Sequence, residues 1–255
     1  MSLTRRLLLA LLTLATSLCL AYAAFGAGLV VCTTPQATSA VGATFSGWEH
    51  STFPEQDMAS IAEGVRAFSV EGAPLEELQS SIESVIEREA PEAAAALEAG
   101  EIGGQEAISG GLAALEERYA MPQDALDHLK DCTPIFTTGR ISTGVVGAFG
   151  IVGTIALALI AGRARAGAVL IAGGPIVGLV IVGLGAWAVI DFDSIFAWMH
   201  SLLFAQGTWT FDSSSLLIRL FPEAFWAAMA GLWVVSSLAC AGLLALAGKL
   251  LRTKA

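Results

Sequence analysis

Four runs of the chain carry no charged residue and are long enough to cross a bilayer: 7–31, 141–162, 168–190 and 225–247. A transmembrane helix needs about 20 apolar residues to span a hydrocarbon core about 30 Å thick. Hydrocarbon offers the backbone no hydrogen-bond partner, so each run must satisfy its own peptide groups as a helix. The composition agrees, with 55% hydrophobic and 14% charged residues among 255, far from the balance of a water-soluble domain. The fold class is therefore an all-α membrane protein with four transmembrane helices and a helical insertion between the first and second.

Basic residues orient these spans. Arg5 and Arg6 precede the first, Arg163 and Arg165 fill the turn between the second and third, and Lys249, Arg252 and Lys254 follow the fourth. If the spans alternate, all seven share one side, which the positive-inside rule makes cytoplasmic. The opposite side holds all 23 carboxylates and the other six basic residues. Both termini are then cytoplasmic and the insertion extracytoplasmic. So acidic an outer face repels phosphates and excludes a nucleic-acid partner. The expected organisation is a cytoplasmic N-terminus and first span (1–31), an acidic helical region outside (32–140), and the second and third spans (141–190). An outer interfacial segment (191–224) and a fourth span with a basic tail (225–255) complete it.

Two readings of the N-terminus stay open. Arg5-Arg6, an apolar core and the small residues of "AYAAFGA" resemble a cleaved signal peptide. The apolar run continues to Val31, longer than a signal core, which favours a retained helix. Cys19 and Cys240 lie within spans as packing residues. Cys32 and Cys132 would both lie outside, where a disulfide between them can form.

The insertion reads as helical. "MASIAEGVRAF" places Met58, Ile61, Val65 and Phe68 on one face. Pro74 opens "PLEELQSSIESVIEREA", with Leu75, Leu78, Ile82, Val85 and Ile86 in one stripe and glutamates opposite. Pro91 interrupts the Ala/Glu run that follows. The glutamates read as a solvated face rather than a metal or peptide site. The insertion is expected to be scaffolding, and trimming 74–117 to spare activity. In the second outer region, Asp193 or Ser194 can cap a helix through "IFAWMHSLLF", too short to span. Trp198, Trp209, Phe211 and Trp226 suit the headgroup level, and Asp212 can cap the helix that follows. Glycines 144, 147, 150 and 153 on the second span, and 174 and 178 on the third, form small-residue tracks that let helices approach in lipid. Pro175 reads as a local kink.

Of three histidines, His50 sits in a polar loop and reads as a surface residue. "DALDHLKDC" sets Asp124 four residues before His128 and Asp131 three after it, so a helix brings both carboxylates near the ring. A carboxylate at one ring nitrogen raises the basicity of the other, the usual way to orient a general base. A surface helix with ordinary charges has the same spacing. Position separates the two readings: His128 lies just ahead of the second span, and His200 ten residues beyond the third, on the same side of the membrane. Ionisable groups in such apolar surroundings are costly and are kept for a function.

"FAWMHSLLFAQGTWTFDSSSLLIRLFPEAFW" resembles the hallmark segment of a family of small four-span bacterial membrane proteins, the lipoprotein intramolecular transacylases (Lit). The pattern is F-x-x-x-H-x-x-x-F, G-x-W-x-F-D, then L-I-x-L-F-P-E-x-F-W. "ALDHLKDCTPIF" resembles the family's other signature, a His followed three residues on by Asp. Thr208, where Asn or Asp is expected, and Met199, where Phe is common, depart from the pattern. The resemblance covers the four-span plan and the two motifs, and leaves the acidic insertion unmatched. It implies residence in the bacterial cytoplasmic membrane and a diacylated lipoprotein as substrate, alongside membrane lipids. The sn-2 acyl chain moves from its glyceryl ester to the α-amino group of the lipoprotein's N-terminal cysteine. It also implies that two histidines carry the reaction, here His128 and His200.

That chemistry suits the residues without a cofactor or metal. An α-amine has a pKa near 8 and must be neutral to attack an ester. One imidazole can take its proton and another can donate to the departing glyceryl oxygen. Asp131 is the expected carboxylate partner, and the Trp209 indole N–H or Arg219 could serve the oxyanion. Arg219 equally suits headgroup contact, and Asp212 and Glu223 read as structural. Cys132 is close enough to His128 to be considered as a nucleophile. Two other classes compete: a metal-dependent membrane hydrolase liganded by His128, Asp131 and His200, whose spacing lacks the paired-His pattern of common zinc motifs, and a non-enzymatic adaptor using its acidic insertion.

Overall fold

The computed structural model describes residues 2–46, 53–89, 91–92, 95 and 121–253. His50 and its loop, most of the Ala/Glu run beyond Pro91, the glycine pairs 103–104 and 110–111, and Lys254 lie outside the described residues. Regular structure among the described residues is helical throughout. In chain order the helices are α1 (Leu3–Cys32), α2 (Pro35–Phe45), α3 (Glu55–Arg66) running into a π-helical turn (Ala67–Glu71), and α4 (Leu75–Glu89). There follow α5 (Gln123–Ala161), α6 (Arg163–Ile190), α7 (Phe192–Leu203), α8 (Leu216–Leu220) and α9 (Glu223–Thr253). Four of them, α1, α5, α6 and α9, are long and apolar enough to cross a membrane, as the four uncharged runs require.

The chain divides into two compact units. The membrane unit comprises Met1–Cys32, Thr138–Met199 and Gly231–Ala255. Here α1 packs along α6, and glycine sets the approach of helices to one another. On α5 a Cβ at Gly147 would meet Ala23, at Gly150 Leu20, and at Gly153 Thr16, an antiparallel register along α1. Gly28 lies against the Trp233 indole, and Gly167 of α6 against the Gly248 carbonyl of α9. The track expected on α6 is displaced: Gly174 and Gly178 face open space, as does Gly144 on α5, while Gly173 meets the Ala21 backbone. One residue turns a helix by about 100°, so glycine spacing alone misjudges the contacting face. Trp233 Nε1 and Ser237 Oγ both donate to the Phe25 carbonyl, at 2.9 and 3.0 Å. Thr143 and Thr154 donate to carbonyls one turn earlier on their own helix. These hydroxyls are thus satisfied without water, while Leu159, Val189 and Ile190 project outward as exposed apolar side chains. Arg163 and Arg165 follow the tight α5–α6 turn, where Gly162 adopts φ +88°.

The insertion unit comprises Thr33–Thr137 and His200–Ala230. The apolar stripe of α3 and the next turn (Met58, Ile61, Val65, Phe68) packs in one core with that of α4 (Leu78, Ile82, Val85, Ile86). Ala125, Leu126 and Leu129 from the start of α5 complete it, with Leu216, Leu217 and Leu220 from α8. Full burial of each such leucine or isoleucine contributes about 1.5–3 kcal/mol. Arg66, 5% exposed, pairs with Glu63 at 2.7 Å and Glu71 at 2.9 Å and donates to the Thr33 carbonyl, tying the end of α3 to the segment after α1. Ser46 Oγ donates to the Leu220 carbonyl at 2.7 Å.

Three local expectations shift. α5 runs unbroken from Gln123, well ahead of its apolar run at 141, so the boundary placed at 140 falls inside a helix. α7 begins at Phe192, and Asp191 Oδ1 accepts from the Ser194 amide at 3.0 Å, so neither Asp193 nor Ser194 is the cap. Ser215, rather than Asp212, caps α8 by accepting from the Ile218 amide.

Candidate active site

His128 and His200 lie in the same unit, each 8% exposed, with ring centroids 6.0 Å apart and planes inclined by 27°. Each ring is placed by packing. The turn of α5 that carries His128 has its neighbours Ala125, Leu126 and Leu129 seated in the core. His200 sits near the end of α7, and Phe204, one residue past that helix, closes over both rings, with centroids 4.5 Å from His128 and 5.6 Å from His200. Phe211 lies 5.6 Å from His128 and Trp209 5.0 Å from His200. Two imidazoles thus share an aromatic surround, the geometry needed for both to act on one reacting carbonyl.

The electrostatics favour the neutral form of His128. It lies in the polar first part of α5, among Asp124, Asp127, Lys130 and Asp131 and ahead of the apolar run. Burial lowers its pKa below the ordinary imidazole value, the nearby His200 lowers it further, and Asp131 opposes both. Two rings so close resist carrying two protons at once. Among the described residues, two buried side-chain nitrogens in this site have no hydrogen-bond partner: Nδ1 of His128 and Nε1 of Trp209. Buried polar groups are rarely left so, and each such group calls for an explanation, a catalytic role among them.

The expected site residues fare differently. His128, His200 and Trp209 come together. Asp131 is exposed and reaches His128 through its charge, since Nδ1 donates to no carboxylate and Nε2 faces Cys132 Sγ at 3.9 Å. The carboxylate-oriented base expected from the spacing is therefore not formed, because Asp131 turns to the surface where its charge is solvated. Asp212 is exposed and holds its own turn, Oδ1 accepting from the Ser214 amide at 2.8 Å and hydroxyl at 2.7 Å, which keeps its pKa low. Arg219 is half-buried on α8 between the core residues Leu217 and Leu220. Cys132 is not disulfide-bonded, so the bridge left open with Cys32 is absent. Burial and Asp131 push its thiol up to about 12, which argues against a thiolate nucleophile. No three His, Cys, Asp or Glu side chains among the described residues gather as metal ligands. Phe204 joins the site beside both rings, and its place as the last position of the F-x-x-x-H-x-x-x-F pattern is the sequence signal for it.

Residues 106–226 match the family model for lipoprotein intramolecular transacylase Lit, a segment containing both histidines. The resemblance read from the two motifs is borne out. Two solved structures are similar over nearly the whole chain. One is the in meso structure of membrane-integral Lit from Bacillus cereus, with a TM-score of 0.62 and 14% identity, covering 97% of this chain and 97% of that one. The other is the same protein with one histidine replaced by alanine, again at 0.62 and 14%, covering 98% and 96%. At this identity the likeness establishes the fold of a four-span membrane protein. No curated protein matches the chain.

Proposed function

We propose that this chain, carrying the Lit family's sequence pattern across both histidine motifs, is a membrane acyltransferase acting on diacylglyceryl lipoproteins. The observation that carries the reading is the 6.0 Å approach of two buried imidazoles from separate segments of the chain. The neutral α-amine of the lipoprotein's N-terminal cysteine attacks the sn-2 ester carbonyl, forming the new N–C bond. One imidazole takes the ammonium proton. The C–O bond to glycerol then breaks, and the glyceryl oxygen leaves with a proton from the other ring. The products are an N-acyl cysteine and a lyso-glyceryl thioether, with all atoms retained in one molecule. Holding amine and ester on the same substrate makes the step intramolecular, worth several kcal/mol of barrier. Trp209 Nε1–H is the donor best suited to the developing oxyanion.

The charge pattern supports a site on the extracytoplasmic face of the bacterial cytoplasmic membrane, with both termini cytoplasmic and residues 32–140 and 191–224 outside. The test is expression in a host whose lipoproteins carry only the diacylglyceryl group, followed by mass spectrometry of their N-termini. Conversion to the lyso form with an N-acyl cysteine is expected. Unchanged N-termini, with the protein folded and inserted, would count decisively against the assignment.

A further inference from the structure

The geometry points to Cys132 as a positioning residue for His128, its S–H donating to Nε2 and so holding the ring's own N–H at Nδ1. Its catalytic consequence rests on the acyl-transfer reading above; the contact itself does not. Both residues lie on α5, four apart, and helical side chains lean back over the preceding turn, so the thiol reaches the ring one turn earlier. Sγ stands 3.9 Å from Nε2. A neutral imidazole has one N–H and one acceptor nitrogen, and a neighbour that donates to one nitrogen fixes the proton on the other. The thiol keeps its proton for this purpose: burial and Asp131 push it up to about 12.

The second observation lies across the ring. Nδ1 is buried and has no protein partner, whereas the buried hydroxyls of Thr143, Thr154 and Ser237 in the membrane unit each donate to a nearby carbonyl. As an N–H it matches an ester, whose oxygens only accept. Trp209 Nε1, the other buried and unpartnered nitrogen of the site, is a donor of the same kind. Cys132 thus turns His128 toward the substrate as a hydrogen-bond donor, where the sequence had pointed to Asp131 for the orienting role.

The test combines structure and kinetics on the full chain in lipid nanodiscs. Nitrogen-15 NMR of histidine-labelled protein reads the tautomer, and turnover is followed with a synthetic S-diacylglyceryl cysteine peptide. Wild type is expected to hold its proton at Nδ1 of His128. Cys132→Ala should release it toward Nε2 and lower kcat by up to about tenfold, the worth of one hydrogen bond, with KM little changed. Cys132→Ser, which retains a donor, should restore both. A proton on Nε2 in wild type, or a tautomer indifferent to Cys132→Ala, overturns the inference. A tautomer that responds as expected upholds it even if no acyl transfer is seen, an outcome that would instead remove the proposed reaction.

Discussion

The membrane unit and the insertion unit are built of the same secondary structure and held together by opposite means. In the membrane unit the helices are apolar on every side, and close contact depends on what is missing: a Cβ at Gly28, Gly150 or Gly153. In the insertion unit the helices are amphipathic, and contact depends on what is present, the apolar stripes of α3, α4 and α8. Lipid is as apolar as a leucine side chain, so only shape and hydrogen bonds favour helix pairing there, whereas water drives the other unit's core together. Polar groups divide the same way. In the membrane unit the buried hydroxyls of Thr143 and Thr154 are spent on neighbouring carbonyls, while the insertion unit leaves His128 Nδ1 and Trp209 Nε1 buried and unspent. Binding chemistry resides where polar capacity is held in reserve.

The sharpest way to break this contrast is to remove a ring. His128→Ala or His200→Ala should lower acyl transfer by about 10²–10⁴-fold while the protein still folds, measured as the lyso-form fraction by mass spectrometry. Retained acyl transfer in His128→Ala would remove that ring from the reaction. Next, Trp209→Phe keeps an aromatic face beside His200 but removes the N–H, and a loss of about 10²-fold in kcat is expected for an oxyanion donor. A residue that only packs would tolerate the change.

Packing substitutions test the two building principles directly. Leu78→Ala empties the insertion core and should cost about 2–5 kcal/mol. Gly28→Ala adds one methyl inside the Trp233 contact and should cost about 1–3 kcal/mol. Denaturation in detergent reads both, and the contrast fails if the glycine change is neutral. Because α4 shares its core with the start of α5, removal of 74–117 is now expected to abolish activity rather than spare it.

The smallest effect is on pH. His128 titrates below the ordinary value of 6.5 in the fold, so the unfolded chain binds its proton first as pH falls. Stability contributed by the neutral ring is present above about pH 6.5 and is lost as pH falls from there through the folded-state value. Melting temperatures at pH 7.5 and 5.5 should therefore differ less in His128→Gln than in wild type.

Much of this architecture was readable in the residues. Four uncharged runs of spanning length admit only helices, because unpaired backbone cannot sit in hydrocarbon. The stripes at 58–68 and 75–86 announced a water-driven core, because apolar residues at helical spacing have one way to leave water together. His128 and His200 stood out as ionisable groups beside apolar spans. Other features depend on long-range packing, which local spacing does not encode. The glycine contacts of α6 moved from 174 and 178 to 167 and 173 because a neighbour's position decides which face is used. Asp131 had the right spacing for His128, yet solvation drew it outward and left Nε2 to Cys132. The approach of two rings 72 residues apart in sequence, and their enclosure by Phe204, Phe211 and Trp209, were settled by tertiary structure, since only a shared core fixes such distances.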